Sequence, residues 1–381
     1  MKKILIVVPS FAIGGTIVSL HSLLSFIDTD HCSVDIFALN RKGEYLDRMP
    51  NSVVLPENIW LSYTLNEGGI FKRILNGLLR IVRAACRRLG MSIESFLCKM
   101  ADVKIKFQQY DAVINYSESI ANIVCSYPVK RRITWVHCDY ERYLTLVNRD
   151  ESKIYEAFDT VVCVSEFAKS IFCKCMPHMK DRAVAIHNII NTKGILEKAK
   201  EPIDDDNFKT DGYTIVSVGR LDPVKQFHLI PSLVAEIKKQ TNKKFVWYII
   251  GGDRSFESYV NGIKQDIVKL GVTEEVVMLG EKSNVYPYMA KADLYVSTSM
   301  SESFSLVINE AKALGVPIVC NNFGCASESI THGIDGFIVS IDDIEFKDII
   351  VSLIEEEVSL SITKNNGCST DFIIKKINNI L

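Results

Sequence analysis

Short runs of β-branched and apolar residues recur in both halves of this chain, with stretches of helical period between them. Near-continuous apolar runs of about four to seven residues predict strands buried on both faces of a parallel sheet, because half-exposed antiparallel strands would alternate. In the first half the predicted strands are Ile4–Val8, Val34–Leu39, Ala112–Tyr116, Ile133–His137, Thr160–Val164 and Val184–His187. In the second half they are Ile215–Val218, Val246–Ile250, Val276–Leu279, Leu294–Ser297, Pro317–Cys320 and Phe337–Val339. The expected class is α/β, with two Rossmann-like, doubly wound parallel sheets. Between them, Glu201-Pro202-Ile203-Asp204-Asp205-Asp206-Asn207 and Asp211-Gly212 are polar and turn-rich, as a linker is. The expected organisation is an N-terminal domain over 1–190, a linker over 191–212, a C-terminal domain over 213–363 and a last helix over 364–381 able to pack back on the first domain. Ligands bind beyond the carboxyl ends of parallel strands, so two such sheets facing an interdomain cleft would place the chemistry there.

One segment departs from the βα rhythm. From Phe71 to Leu89, the apolar Phe71, Leu75, Leu78, Val82, Ala85 and Leu89 share one helical face, and Lys72, Arg73, Arg80, Arg83 and Arg87 share another. Such a helix either packs its apolar face in a core with its basic face solvated, or docks on an anionic membrane surface. Lys99, Lys104 and Lys106 nearby add to the second reading. No apolar stretch approaches the roughly 20 residues that span a bilayer, and Ile4–Val8 is cut by Pro9 before reaching signal-peptide length. The expectation is a cytoplasmic protein, with the basic helix offering a peripheral place on the inner face of the cell membrane.

Composition narrows this picture only slightly. A length of 381 residues fits two domains, and 48% hydrophobic with 24% charged residues is ordinary for a folded chain. Forty-four Lys and Arg against forty-six Asp and Glu leave a net charge of -2, so no global field recruits nucleic acid. The eleven cysteines form no CxxC pair and sit among apolar neighbours, as in Val162-Cys163-Val164 and Val319-Cys320, which reads as reduced core thiols. Cys173, Cys175 and His178 match no usual zinc spacing, and no metal site is predicted.

Candidate chemistry concentrates in Ser301-Glu302-Ser303-Phe304-Ser305-Leu306-Val307-Ile308-Asn309-Glu310-Ala311. A helix beginning near Ser305 puts Glu310 in its second turn and Glu302 in the preceding loop. The N–H groups of Phe304, Ser305 and Leu306 would then offer an anion the end of a helix. The plainer alternative makes Glu302 a capping support and Glu310 a surface residue. A second block, Val218-Gly219-Arg220-Leu221-Asp222-Pro223-Val224-Lys225, leaves a strand through a glycine turn and carries a planar guanidinium and a compact ammonium.

The first block resembles the Glu-x7-Glu signature of family 4 of the retaining glycosyltransferases, and the flanking Ala292–Ser297 and Glu310–Val319 are similar to its surroundings. The second resembles that family's Gly-Arg-Leu…Lys element, with Gln226 where glycine is usual. Gly14-Gly15 after the first strand, His137 within Trp135-Val136-His137-Cys138-Asp139-Tyr140, Val164–Phe167, His187–Asn191 and Gly333–Gly336 also sit at family-like places. Gly252-Asp253-Arg254 departs from an expected Gly-Asp-Gly turn. The resemblance is strongest over 213–340 and weaker over 41–110, where acceptors are chosen.

The resemblance implies a GT-B fold and a nucleotide diphosphate sugar, most readily a UDP-sugar, as donor, with no cofactor or metal required. It implies that Arg220 and Lys225 hold the pyrophosphate, Glu302 the donor sugar's hydroxyls and Glu310 the ribose hydroxyls, with His137 beside the sugar. Gly14, Gly15, Phe304, Ser305 and Leu306 join the expected donor site. Hexosyl transfer would retain anomeric configuration, on a carbohydrate or lipid-linked saccharide acceptor of surface polysaccharide assembly. Three other readings are a sugar-nucleotide epimerase of the same architecture, a non-catalytic sugar-nucleotide binder, and a single-sheet transferase holding Mg²⁺ through Asp28-Thr29-Asp30 or Asp204-Asp205-Asp206.

Overall fold

A computed structural model describes residues 1–63, 69–88, 93–252, 256–358, 360 and 369–381. Leu89, Asp253 and Arg254 therefore lie outside the described residues, as do the side chains of Lys72 and Arg87. The chain forms two compact units, Met1–Ile189 with Thr370–Leu381, and Ile190–Ser369.

The first unit contains β1 (Lys2–Ser10), β2 (Cys32–Asn40), β3 (Val53–Val54), β4 (Ala112–Asn115), β5 (Arg132–Val136), β6 (Thr160–Cys163) and β7 (Ala183–Ala185). They make one sheet in the order β3-β2-β1-β4-β5-β6-β7, parallel throughout. The second unit contains β8 (Tyr213–Val218), β9 (Phe245–Ile250), β10 (Val276–Gly280), β11 (Leu294–Ser297), β12 (Ile318–Asn321) and β13 (Gly336–Val339), parallel in the order β10-β9-β8-β11-β12-β13. Each predicted strand is present. Only β3 went unforeseen, being two residues long and too short to show a period. The runs are apolar because helices cover both faces, and Ile4 to Val8 are all buried.

Each sheet has a switch point, where the chain finishes winding to one side and returns to wind to the other. It falls between β1 and β4 in the first sheet and between β8 and β11 in the second. The second is braced from inside: Trp247 Nε1 on β9 donates to Ser217 Oγ on β8 (2.9 Å), which donates to the Val296 carbonyl on β11 (2.6 Å). Beyond β9, Gly251 lies at φ +151, and a Cβ there would sit 1.8 Å from the Gly219 carbonyl oxygen. Only glycine lets the two turns pass so closely.

Residues 191–212 are less linker-like than their polarity suggests. Thr192–Lys198 is a helix whose cap, Asn191, accepts the Gly194 N–H at 3.0 Å, and Ile195 is buried. The last helix, Thr370–Ile380, belongs to the first unit, where Ile373 and Ile377 are buried and Lys376 Nζ donates to the Ala185 carbonyl at 3.1 Å.

The basic helix is present as α2 (Ile70–Arg88), but its core-packing reading is overturned. Phe71, Ile74, Leu78, Ile81, Val82 and Ala85 face outward. Arg83, expected on the solvated face, is buried: it donates to the Trp60 carbonyl, lies 5.3 Å over the Tyr63 ring and stands 4.0 Å from Glu94. Asn76, about two turns away on the same side, is also buried and donates to the Ser62 carbonyl at 2.8 Å. The bond to the Trp60 carbonyl and the face of the Tyr63 ring turn Arg83 inward, while its Nε and Nη1 have no hydrogen-bond partner among the described residues. No described helix is long and apolar enough to cross a membrane.

Candidate active site

The two motif blocks leave the two strands that flank the second sheet's switch point. After β8, Asp222 accepts the N–H groups of Val224 and Lys225 (3.0 and 3.3 Å) and caps the short turn Pro223–Lys225. That turn is stitched to the loop after β11: Met300 N–H donates to the Val224 carbonyl at 2.8 Å, and Thr298 Oγ1 donates to the Lys225 carbonyl at 2.6 Å. Lys225 Nζ then meets Glu302 Oε1 at 2.5 Å, and Ser299 Oγ donates to the same oxygen at 2.9 Å. Both charged side chains are largely but not wholly shielded, at 19% and 14% exposure, so a ligand can still reach them. Arg220 is not part of this cluster. Its guanidinium is 70% exposed and pairs with Asp222 at 3.1 Å.

Ser305 caps the helix Leu306–Leu314 by accepting the Ile308 N–H. The Cys325 thiol donates to the Glu302 carbonyl at 3.2 Å, tying the loop before this helix to the segment after β12. Glu310 occupies the second turn and is buried, contrary to the surface alternative. Tyr286 donates to its Oε1 at 3.0 Å. Burial pushes its carboxyl pKa up to about 7, against the lowering pull of Tyr286 and Lys198. Behind both carboxylates lies Tyr295 of β11, whose hydroxyl is held well above its ordinary pKa by burial and then by Glu302 and Glu310. Among the described residues, no three His, Cys, Asp or Glu side chains are grouped to hold a metal ion.

In the first unit, Gly14 precedes the helix Gly15–Ser25, whose first turn carries no acid. Gly14 is extended, and a Cβ there would meet no atom within 4 Å. Neither backbone nor packing requires glycine there. His137 follows β5. Its N–H donates to Glu118 Oε2 at 3.1 Å, its ring lies tilted against Tyr116 with centroids 4.8 Å apart, and its Nε2 has no hydrogen-bond partner among the described residues. Burial pushes the His137 pKa down to about 3, so the imidazole is neutral. Burial also raises Glu118, which the His137 N–H partly offsets.

Sequence reasoning missed Asp222, Ser299, Tyr286, Tyr295 and Glu118. Asp222-Pro223 was legible as a cap followed by an N1 proline. The other four act through tertiary contact and carry no local signal.

Two parallel-sheet α/β units in this order define the GT-B fold class. Aligned over 100% of this chain, Anabaena HepE in complex with UDP-glucose gives a TM-score of 0.73 at 19% identity, covering 99% of that chain. The apo form of the lipopolysaccharide outer core galactosyltransferase WaaB gives 0.64 at 16%, also over 99% of its length. Within this fold, residues 199–368 match the family Glycosyl transferases group 1. Among curated relatives, N-acetylgalactosamine-N,N'-diacetylbacillosaminyl-diphospho-undecaprenol 4-alpha-N-acetylgalactosaminyltransferase of Campylobacter jejuni is 32% identical over 161 residues, 42% of this chain and 40% of that protein. The lipopolysaccharide core biosynthesis mannosyltransferase LpsB of Rhizobium meliloti is 30% identical over 120 residues, 31% of this chain and 33% of LpsB. The matched stretch thus spans about a third to two-fifths of these relatives' length.

Proposed function

We propose that the protein is a retaining glycosyltransferase that moves a hexosyl group from a nucleoside diphosphate sugar, a UDP-sugar, to a saccharide acceptor. The observation that carries this reading is the meeting of Lys225 with Glu302 at the second unit's switch point, with Glu310 buried a turn into the adjoining helix. An ammonium has three donors, and Glu302 takes one, so two remain for phosphate oxygens. Glu302 receives Lys225 and Ser299 on Oε1, which leaves Oε2 to accept a sugar hydroxyl.

In the proposed reaction the bond from the sugar's anomeric carbon to the phosphate oxygen breaks, and its electron pair leaves with the diphosphate. The acceptor oxygen bonds to that carbon on the same face, and its proton passes to the leaving phosphate. Positive charge grows on the ring and negative charge on the leaving group, so Lys225 and the exposed Arg220 stabilise the transition state. His137, neutral, fits a hydrogen-bonding role beside the sugar rather than that of a cationic acid.

The acceptor reading, a lipid-linked saccharide of surface polysaccharide assembly, draws on the undecaprenol-linked substrate in the Campylobacter relative's name. It also draws on α2. Its outward apolar stripe runs beside exposed Arg73, Arg80 and Arg88, and the next helix, α3 (Glu94–Ile105), exposes Phe96, Met100 and Val103 with Lys99 and Lys104. Apolar side chains among cations fit an anionic membrane surface, and this supports a peripheral place on the inner face of the cell membrane.

The test is a screen of sugar nucleotides for binding, then nucleotide release with candidate acceptors. Arg220→Ala and Lys225→Ala should each lose about a hundredfold in transfer, near 3 kcal/mol, with unchanged unfolding transitions. Normal turnover by either variant would remove that residue from the pyrophosphate site. Conversion of the donor sugar with no acceptor present would favour an epimerase instead.

A further inference from the structure

Glu310 is a buried carboxylate in the second turn of its helix, and the Tyr286 hydroxyl donates to its Oε1 at 3.0 Å. We propose that Tyr286 is a positioning residue for Glu310: by occupying Oε1 it holds the carboxylate so that Oε2 receives a ribose hydroxyl, which makes the pair a reader of ribose in the donor nucleotide. This inference rests on the donor-site reading above and adds a residue to it.

Tyr286 is itself fixed from behind. Asn284 Oδ1 accepts the Tyr286 N–H at 3.1 Å, while Asn284 Nδ2 donates to the Lys198 carbonyl at 2.9 Å and to Glu201 Oε2 at 2.8 Å. The Thr192–Lys198 helix and its exit therefore anchor the turn that carries Tyr286, and the short helix Tyr286–Ala290 packs on the Leu306–Leu314 helix that carries Glu310. A phenol with both its backbone and its hydroxyl tethered loses little freedom when it orients a partner. A buried carboxylate with one oxygen already served is a demanding acceptor: a nucleotide lacking the hydroxyl leaves the other oxygen desolvated and unpaired.

The groups that face Glu310 are Tyr286 on its own turn, Lys198 at the end of the Thr192–Lys198 helix and Tyr295 on β11. The ionised carboxylate is the stronger hydrogen-bond acceptor for a hydroxyl, so nucleotide affinity should rise as pH passes through about 7. Tyr286 pulls the Glu310 pKa down, and its loss should move that rise to higher pH.

The experiment measures binding of UDP, GDP and ADP to the full chain, then takes the tightest ligand and its 2′,3′-dideoxy analogue to Tyr286→Phe and Glu310→Gln. The expected result is about a tenfold loss of affinity for the ribonucleotide in Tyr286→Phe, unchanged affinity for the dideoxy analogue, and a binding curve shifted to higher pH. Glu310→Gln should lose the ribonucleotide preference and the pH dependence together. Equal weakening of both ligands by Tyr286→Phe would make the tyrosine merely structural and overturn the inference. So would ribonucleotide binding untouched in Tyr286→Phe but lost in Glu310→Gln, with the donor-site reading left intact. Wild-type protein that binds none of the three nucleotides, or Glu310→Gln that binds them as wild type does, would overturn the donor-site reading itself.

Discussion

Gln226 holds a left-handed backbone, φ 51, directly after the turn that aims Lys225, and its Oε1 is buried without a hydrogen-bond partner among the described residues. A side chain in that region costs about 1–2 kcal/mol, which glycine avoids while losing some unfolded-state entropy. Gln226→Gly should therefore stabilise the second unit by about 0.5–1 kcal/mol in chemical denaturation; a drop in stability would show that the glutamine makes a compensating contact. Glu310 gives a second prediction. Its carboxyl pKa rises from 4.5 to about 7 on folding, so the native state keeps a proton that the unfolded chain has released across that interval. The wild type then loses stability as pH rises through the window. Glu310→Gln should be more stable than wild type at pH 8, by up to ~3 kcal/mol, with the difference shrinking below pH 5; unfolding curves at the two pH values check it. The chemistry was legible here because it lies in sequence spacing, with Glu302, Glu310, Arg220 and Lys225 in two short blocks. Which of them meet was not legible, since Arg220 turned to Asp222 and only Lys225 reached Glu302. Several family-like stretches proved to serve the fold: Ser165 and Asn191 are helix caps, and Asp335 of the Gly333–Gly336 turn pairs with Lys312 at 2.6 Å.

Among the elements, the parallel strands could be read to within about two residues because most of their residues are buried and they show as largely apolar runs. The same logic failed for α2. Periodicity identifies an apolar face but not which face turns inward, and here Asn76 and Arg83 made the buried seam. The exposed stripe leads to a prediction at this scale. Leu78→Glu with Ile81→Glu should abolish sedimentation with vesicles containing anionic lipid, while circular dichroism and nucleotide binding stay unchanged. Wild-type protein that ignores such vesicles would leave the stripe without its proposed partner. Removing the buried arginine should be costly: Arg83→Ala deletes the donor to the Trp60 carbonyl and the group over the Tyr63 ring, and should lower the first unit's stability by about 1–3 kcal/mol in chemical denaturation.

The molecule as a whole is two units with separate cores. The second core gathers Trp247, Ile249, Val296, Val319, Phe346 and Ile350 and uses nothing from the terminal helix. That helix belongs to the first unit, and Ile373, Ile377 and Leu381 bury about 1.5–3 kcal/mol each of apolar side chain. Deleting residues 370–381 should lower the first unit's unfolding transition and spare nucleotide binding by the second. Two-domain organisation was visible in the doubled strand pattern, whereas the helix Thr192–Lys198 hid within a polar stretch because one cap and one buried isoleucine suffice to hold it. The central claim concerns a single place: the end of the second sheet where the strands part, with a cation and one carboxylate supplied by neighbouring loops and a second carboxylate by the adjoining helix. Calorimetric titration of nucleoside diphosphates into wild type and Lys225→Ala tests it most directly. The account predicts saturable binding by wild type and a loss of about a hundredfold in the variant, near 3 kcal/mol, with no change in fold. Equal affinity in the two proteins would contradict it.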